Sequence, residues 1–266
     1  MRRWLIGIGI AVVVLYGTVV GGMALFQRDL QYERGGKLFT LAEAGLTGAE
    51  QVSLATPDGG TIGGWYQAPQ PGQPVLLYYR GNSESFSREY ARFAAFVAKG
   101  FGFMSFDYRG FPASPGDLNQ THVLIDALTA FDWVAQKGAP VVIWGRSLGS
   151  GPASYVASQR EAEALVLESP FLSAVAVAAE RYPFLPVGLV MADQYPVSTW
   201  IKDVTEPVFV AHGTADTTIP VHHGKDVYAL APQGRTLWIV EGRGHSDLWE
   251  AGLFDQVQTF IATLTP

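Results

Sequence analysis

From Trp4 to Phe26 the chain runs for 23 residues without a charged side chain. As a helix such a run rises about 34 Å, which matches a hydrocarbon core of about 30 Å. The segment is therefore expected to span or target a membrane. Arg2 and Arg3 precede it, and Gly22-Met23-Ala24 offers the small residues of a cleavage point, so a secretory signal is the competing reading. Length favours an uncleaved anchor over residues 1–27, because a signal's apolar core is usually only about 7–15 residues long. Basic residues flank both ends, Arg2 and Arg3 before the run and Arg28, Arg34 and Lys37 after it. The short basic lead resists translocation while a long body follows the first apolar helix across, which places the body on the non-cytoplasmic face. Gly17-x-x-x-Gly21 puts small residues where two such helices pack closely, although glycine is common in membrane helices.

Beyond residue 30 the remaining 236 residues carry 15 basic and 23 acidic side chains, a net charge of −8. An acidic body without a Lys/Arg-rich run lacks the footprint for polyphosphate backbones, so no nucleic-acid partner is expected. Only 16% of the chain is charged and 48% is hydrophobic, which excludes disorder, a coiled coil and a collagen-like chain. The absence of cysteine removes disulfides, a thiolate nucleophile and Cys-ligated metal sites.

Residues 28–50 mix charges and glycines without a clear period and read as a connector with room for one short helix. From 51 to 266 strand and helix signals alternate. Val52–Thr56 and Thr61–Gln67 flank Pro57-Asp58-Gly59-Gly60 and read as an antiparallel hairpin. Apolar runs follow at Val75–Tyr79, Phe101–Phe106, Val141–Trp144, Leu165–Leu167, Val208–Ala211 and Thr236–Val240. Phe86, Tyr90, Phe93 and Val97 recur at helical spacing and stop at Gly100. Further helical stretches lie at 121–137, 148–159, 221–231 and 253–264. This alternation implies an α/β fold, one mostly parallel central sheet with helices on both faces. The interval 169–206 is too long for an ordinary crossover and rich in Pro, Tyr, Phe and Leu, so it reads as a short cap insertion.

Directly after Val141–Trp144 stands Gly145-Arg146-Ser147-Leu148-Gly149, followed by a helical stretch. In that context G-x-S-x-G makes a sharp turn that holds the serine out from the backbone, with small residues where the arms of the turn pass closely. The plain alternative is a glycine-rich turn whose serine only caps a helix. A serine hydroxyl needs a base and an orienting acid, and both follow in order. Asp216 lies in the loop after Val208–Ala211, and His245 in the loop after Thr236–Val240. Both sit at C-terminal strand ends, where open α/β sheets assemble their sites. The order Ser, Asp, His is that of α/β-hydrolases. For the oxyanion the amide of Leu148 follows the nucleophile, and that of Asn82, after Val75–Tyr79, supplies the second donor, with Gly81 allowing close approach.

Taken together, Gly145–Gly149, Asp107-Tyr108-Arg109-Gly110-Phe111, Glu168-Ser169-Pro170-Phe171, Pro207–Asp216 and Gly244-His245-Ser246-Asp247 resemble the membrane-anchored α/β-hydrolase-domain proteins related to the bud-emergence group. The resemblance covers roughly residues 50–265. It implies the α/β-hydrolase fold, a serine nucleophile and hydrolysis of esters or thioesters; some members remove palmitoyl groups from proteins. Two departures stand out. The family usually has His-Gly-Asn where this chain has Arg80-Gly81-Asn82, and Tyr-Gly-x-Ser where it has Phe111-Pro112-Ala113-Ser114-Pro115.

Other residues carry weaker signals. Arg146 ties loops together through a carboxylate such as Asp107 or Glu168, or binds an acidic substrate group. Glu168 is the runner-up acid, since it ends a neighbouring strand. His212 reads as a packed histidine. His222 and His223 diverge by about 100° on a helix, so no shared metal is expected, and no cofactor is implied. Tyr182, Phe184 and Tyr195 line an acyl pocket or pack the cap. The expected partner is a small-molecule or lipid-like acyl ester, with serine peptidase and non-catalytic membrane adaptor as rival functions.

Overall fold

The computed structural model describes residues 2–264. Helix α1 (Arg2–Gln31) holds the apolar run and buries none of its residues. It is one helix long and apolar enough to cross a membrane, with a mean hydropathy of 2.2 over its best window. The helix does not stop at the end of the run. It continues to Gln31, and Tyr32 just beyond is buried, so the start of the expected connector is a structured part of the body. A one-turn helix, α2 (Leu41–Ala44), follows, with a reciprocal cap between Thr40 and Glu43.

Eight strands form one sheet: β1 (Glu50–Ala55), β2 (Thr61–Gln67), β3 (Val75–Tyr79), β4 (Gly102–Phe106), β5 (Val141–Arg146), β6 (Ala164–Glu168), β7 (Val208–Gly213) and β8 (Gly234–Val240). Their spatial order is β1-β2-β4-β3-β5-β6-β7-β8. β2 runs antiparallel to both β1 and β4, as the hairpin reading requires, and every other pairing is parallel. The helices between strands are α3 (Tyr90–Ala98), α4 (Gln120–Ala135) and α5 (Ser150–Ala157); α9 (Val221–Leu230) and α10 (Leu253–Ala262) come later.

The strands β3 to β7 are buried along their length because both faces of the sheet are covered, which is why they read as continuous apolar runs. Successive side chains still alternate. In β3, Val75, Leu77 and Tyr79 join the core beneath α4, α5 and α9, whereas Leu76 and Tyr78 join that beneath α3 and α10. Between β6 and β7 the cap carries α6 (Ala174–Arg181), α7 (Val187–Val190) and α8 (Val197–Trp200). The C-terminal ends of β3, β5, β7 and β8 deliver the loops that hold Asn82, Ser147, Asp216 and His245 to one edge.

Candidate active site

β5 passes into a single 3-10 turn, Ser147–Gly149, and then into α5. Ser147 has φ +51°, a left-handed backbone that a non-glycine residue adopts at a cost of about 1–3 kcal/mol unless its surroundings enforce it. Those surroundings are close. A Cβ on Gly145 would lie 2.5 Å from Cβ of Ala153 and 2.5 Å from the Gly149 carbonyl oxygen, and one on Gly149 would collide with the carbonyls of Tyr79 and Arg80. The glycines let β5, α5 and the end of β3 meet around the turn. Gly81 differs, since a Cβ there would sit at an ordinary 3.6 Å from that of Ser147. Close approach does not require glycine at that position.

His245 Nε2 lies 2.8 Å from Ser147 Oγ, and its Nδ1 lies 2.7 Å from Asp216 Oδ2. The three residues thus form one hydrogen-bonded line from three separate loops. Asp216 is fixed in turn by the amides of Thr218 and Ile219, which donate to Oδ1 at 2.9 and 2.8 Å. His212 Nε2 lies 3.2 Å from the other carboxylate oxygen and 2.8 Å from the Ile219 carbonyl oxygen. Burial alone would raise the Asp216 pKa, but the hydrogen bonds from His212 and His245 outweigh it and hold the carboxyl well below its ordinary range. His212 is the buried histidine expected, and its contact with Asp216 is one the sequence did not signal.

Glu168 points elsewhere. Both its oxygens accept from Arg92, at 2.8 and 2.9 Å, and Trp144 Nε1 and Arg146 Nε approach at 3.2 and 3.3 Å. Arg146 also reaches Glu89 at 2.9 Å and Ser246 Oγ at 3.1 Å, so it links the Ser147 turn to the loop that carries His245. Asp107, the other carboxylate considered for Arg146, instead faces Arg80 Nε at 2.9 Å. Arg80 is buried, and its guanidinium lies 3.8 Å from the centre of the Phe111 ring. The two departures from the family pattern therefore touch each other.

The Asn82 backbone N–H has no hydrogen-bond acceptor among the described residues. The Leu148 N–H lies in the first turn of its helix, where no intrahelical acceptor exists. The Asn82 side chain is occupied: Nδ2 donates to the Gln31 carbonyl at 2.7 Å, and Oδ1 accepts from the Glu33 amide at 3.3 Å. Asp193 in the cap holds the same end of α1, accepting from Arg28 Nε at 3.1 Å and from the Tyr32 hydroxyl at 2.9 Å. Burial, with Tyr195 and Asp193 nearby, pushes the Tyr32 hydroxyl far above its usual pKa and keeps it a donor.

Above Ser147 opens a cavity of about 320 Å³, walled by α1 on one side and the cap on the other. Tyr182 lines it, Phe184 projects from the surface, and Tyr195 is buried against Tyr32, so the three cap aromatics have three different surroundings. His222 and His223 do not diverge. Their rings stack 4.5 Å apart and both Nε2 atoms approach Glu180 Oε1, at 3.0 and 3.3 Å. His223 Nδ1 accepts from the Leu172 amide at 3.2 Å, which leaves the proton of the neutral ring on Nε2, facing the carboxylate. His223 Nε2 is buried and, at 3.3 Å, makes no hydrogen bond to the carboxylate.

A family model described as serine aminopeptidase, S33, matches residues 71–192, a stretch that includes Ser147. An uncharacterised protein of Mycobacterium tuberculosis is 32% identical over 246 residues, spanning 89% of this chain and 88% of its own. The chain belongs to the α/β-hydrolase-domain serine hydrolases. This hydrolase is also 30% identical over 201 residues to the lysophosphatidylserine lipase ABHD12 of Xenopus tropicalis, across 65% of this chain and 51% of that protein. Its fold is shared with the Pyrococcus furiosus esterase Pf2001, at a TM-score of 0.69 and 18% identity, covering 87% of this chain and 97% of the esterase.

Proposed function

We propose that this hydrolase cleaves carboxylic esters or thioesters of lipid-like acyl substrates through an acyl-enzyme on Ser147. The observation that carries the reading is the unbroken line Ser147–His245–Asp216 at the floor of a largely apolar cavity. Ser147 Oγ attacks the acyl carbonyl as His245 Nε2 takes its proton, and Asp216 holds the imidazole in the tautomer that leaves Nε2 free to accept. The amides of Leu148 and Asn82 bind the oxygen that becomes negative. His245 returns the proton to the leaving alcohol or thiol. Water, deprotonated by the same nitrogen, then releases the acid and restores Ser147. The lipid ester named for the ABHD12 relative supports a lipid-like acyl group here as well.

Substitution Ser147→Ala tests this directly. It should abolish ester turnover and fluorophosphonate labelling while leaving the melting temperature within a few degrees, since the turn is set by its glycines. Labelling that survives in the variant would remove Ser147 from the mechanism, and a wild-type chain that takes no label would favour the adaptor function. The description of the matching family favours peptide cleavage as a second reading. An aminopeptidase must hold a free ammonium, and Glu33 is the one carboxylate on the cavity wall among the described residues. Turnover of an aminoacyl naphthylamide faster than a butyrate ester would select that reading. The anchor, we further propose, places the body on the non-cytoplasmic face.

A further inference from the structure

The cavity is not confined to the catalytic domain. Val20 and Met23 on its wall belong to the uncharged run of α1, whereas Gln27 and Gln31, the latter bonded to Asn82, lie beyond that run. The cavity therefore crosses from the polar end of α1 into the stretch long enough to lie in hydrocarbon. A second observation concerns the cap. The Tyr16 hydroxyl donates to the Phe184 carbonyl at 2.8 Å, so the cap tip rests on α1 ten residues inside Phe26. Ten residues of helix span about 15 Å, half of a hydrocarbon core of about 30 Å. Anything resting on Tyr16 then shares its depth.

The tip has the composition for that depth. From Tyr182 to Ala192 there are 11 residues without a charge, and Phe184 and Leu189 are 87% and 88% exposed. With Tyr182 and Pro183 also exposed, they belong to an exposed apolar stretch of the kind that marks a membrane contact. Arg181 stands at the start of the tip on the cavity wall, with a stem long enough to carry its guanidinium toward headgroups.

We propose that the cap tip, Tyr182–Ala192, is embedded in the bilayer beside α1, and that the cavity opens there to the membrane. The substrate class, resting on the hydrolase reading above, is a membrane-resident acyl lipid. Its chain enters sideways along Val20 and Met23 while its ester comes to Ser147 at the polar end.

The chain has no cysteine, so one introduced cysteine carries one label. Phe184→Cys and Leu189→Cys, each labelled with a nitrobenzoxadiazole dye in the full-length chain in phosphatidylcholine nanodiscs, report depth. Val13→Cys on α1 serves as the lipid reference and Thr259→Cys on α10 as the aqueous one. Labels at 184 and 189 should be quenched by acyl-chain nitroxide at least half as strongly as that at 13, and shielded from iodide. Labels at 184 and 189 that behave like that at 259 overturn the embedded tip. For the entry route, Phe184→Asp combined with Leu189→Asp should lower turnover of a long-chain monoacyl lipid in phosphatidylcholine vesicles at least tenfold. Turnover of p-nitrophenyl acetate in detergent should stay within twofold. Equal loss of both, or loss of neither, overturns lateral entry. A wild-type chain that hydrolyses neither substrate overturns the hydrolase reading instead, and the labels still decide the position of the tip.

Discussion

Two carboxylates, Glu168 and Asp216, stand at the C-terminal ends of adjoining strands, and only the second reaches His245. Sequence position put Asp216 first and Glu168 second without showing what occupies the second, a partner 76 residues away: Arg92 takes both oxygens of Glu168. Asp216→Asn is expected to lower kcat by on the order of 10³–10⁴, since an amide no longer selects the productive tautomer. Glu168→Gln should instead cost stability, about 3–5 kcal/mol, by leaving Arg92 buried with half a partner, while the folded fraction keeps turnover within tenfold. Parallel kcat and thermal melts on the two variants check the ranking, and a larger kcat loss for Glu168→Gln would make Glu168 the acid. The pH dependence follows from the same two groups. Both carboxyls are held below their unfolded values of 3.8 and 4.5, Glu168 because Arg92 and Arg146 outweigh its burial. Their stabilisation is complete above those values and is lost as pH falls through the folded ones. The gap in melting temperature between wild type and Glu168→Gln should therefore be constant from pH 7 to about 5 and narrow below about 4.5; a gap that widens in acid contradicts the assignment.

At the scale of elements, legibility followed range in sequence. The strands were readable because burial on both faces makes them apolar throughout, and the turn around Ser147 because its glycines, strand and helix lie within about 15 residues. Unreadable were single polar contacts between distant residues that no motif marks. The connector gave no period because the end of α1 is held by single polar contacts to Asn82 and Asp193, 51 and 161 to 165 residues away, and not by a repeating apolar face. Likewise the stacking of His222 on His223 depends on Glu180 in another helix, which helical geometry alone does not supply. The two glycines near Ser147 make this contrast testable. Gly149→Ala drives a Cβ into the Tyr79 carbonyl and should destabilise the fold by about 1–3 kcal/mol with loss of probe labelling, whereas Gly81→Ala meets only ordinary contacts and should keep most activity. Melting curves and fluorophosphonate labelling read both, and equal tolerance of the two substitutions would mean that the turn is looser than its geometry.

For the molecule as a whole, α1 acts as more than a tether, because it is divided between two tasks along its length. Its last turn and Tyr32 grip the body: Gln27 and Gln31 bond to the cap at Ala192 and Asp193, while the Gln31 carbonyl and the Glu33 amide hold the side chain of Asn82. Its upper part, with Val20 and Met23, walls the cavity. Two truncations separate these tasks. Removing residues 1–26 keeps the grip and opens the wall, so the ratio of long-chain to acetate turnover should fall at least tenfold. Removing residues 1–33 also frees the loop that carries the Asn82 amide, one of the two proposed oxyanion donors. An oxyanion donor is worth about 10²–10³ in rate, so a loosened one should cut even acetate turnover by at least tenfold relative to the shorter truncation. Comparing kcat/KM for acetate and palmitate esters across the full chain and both truncations checks this ordering. If the two truncations share one profile, residues 27–33 do not position the site, and the bonds to Asn82 and Asp193 are packing without consequence for catalysis.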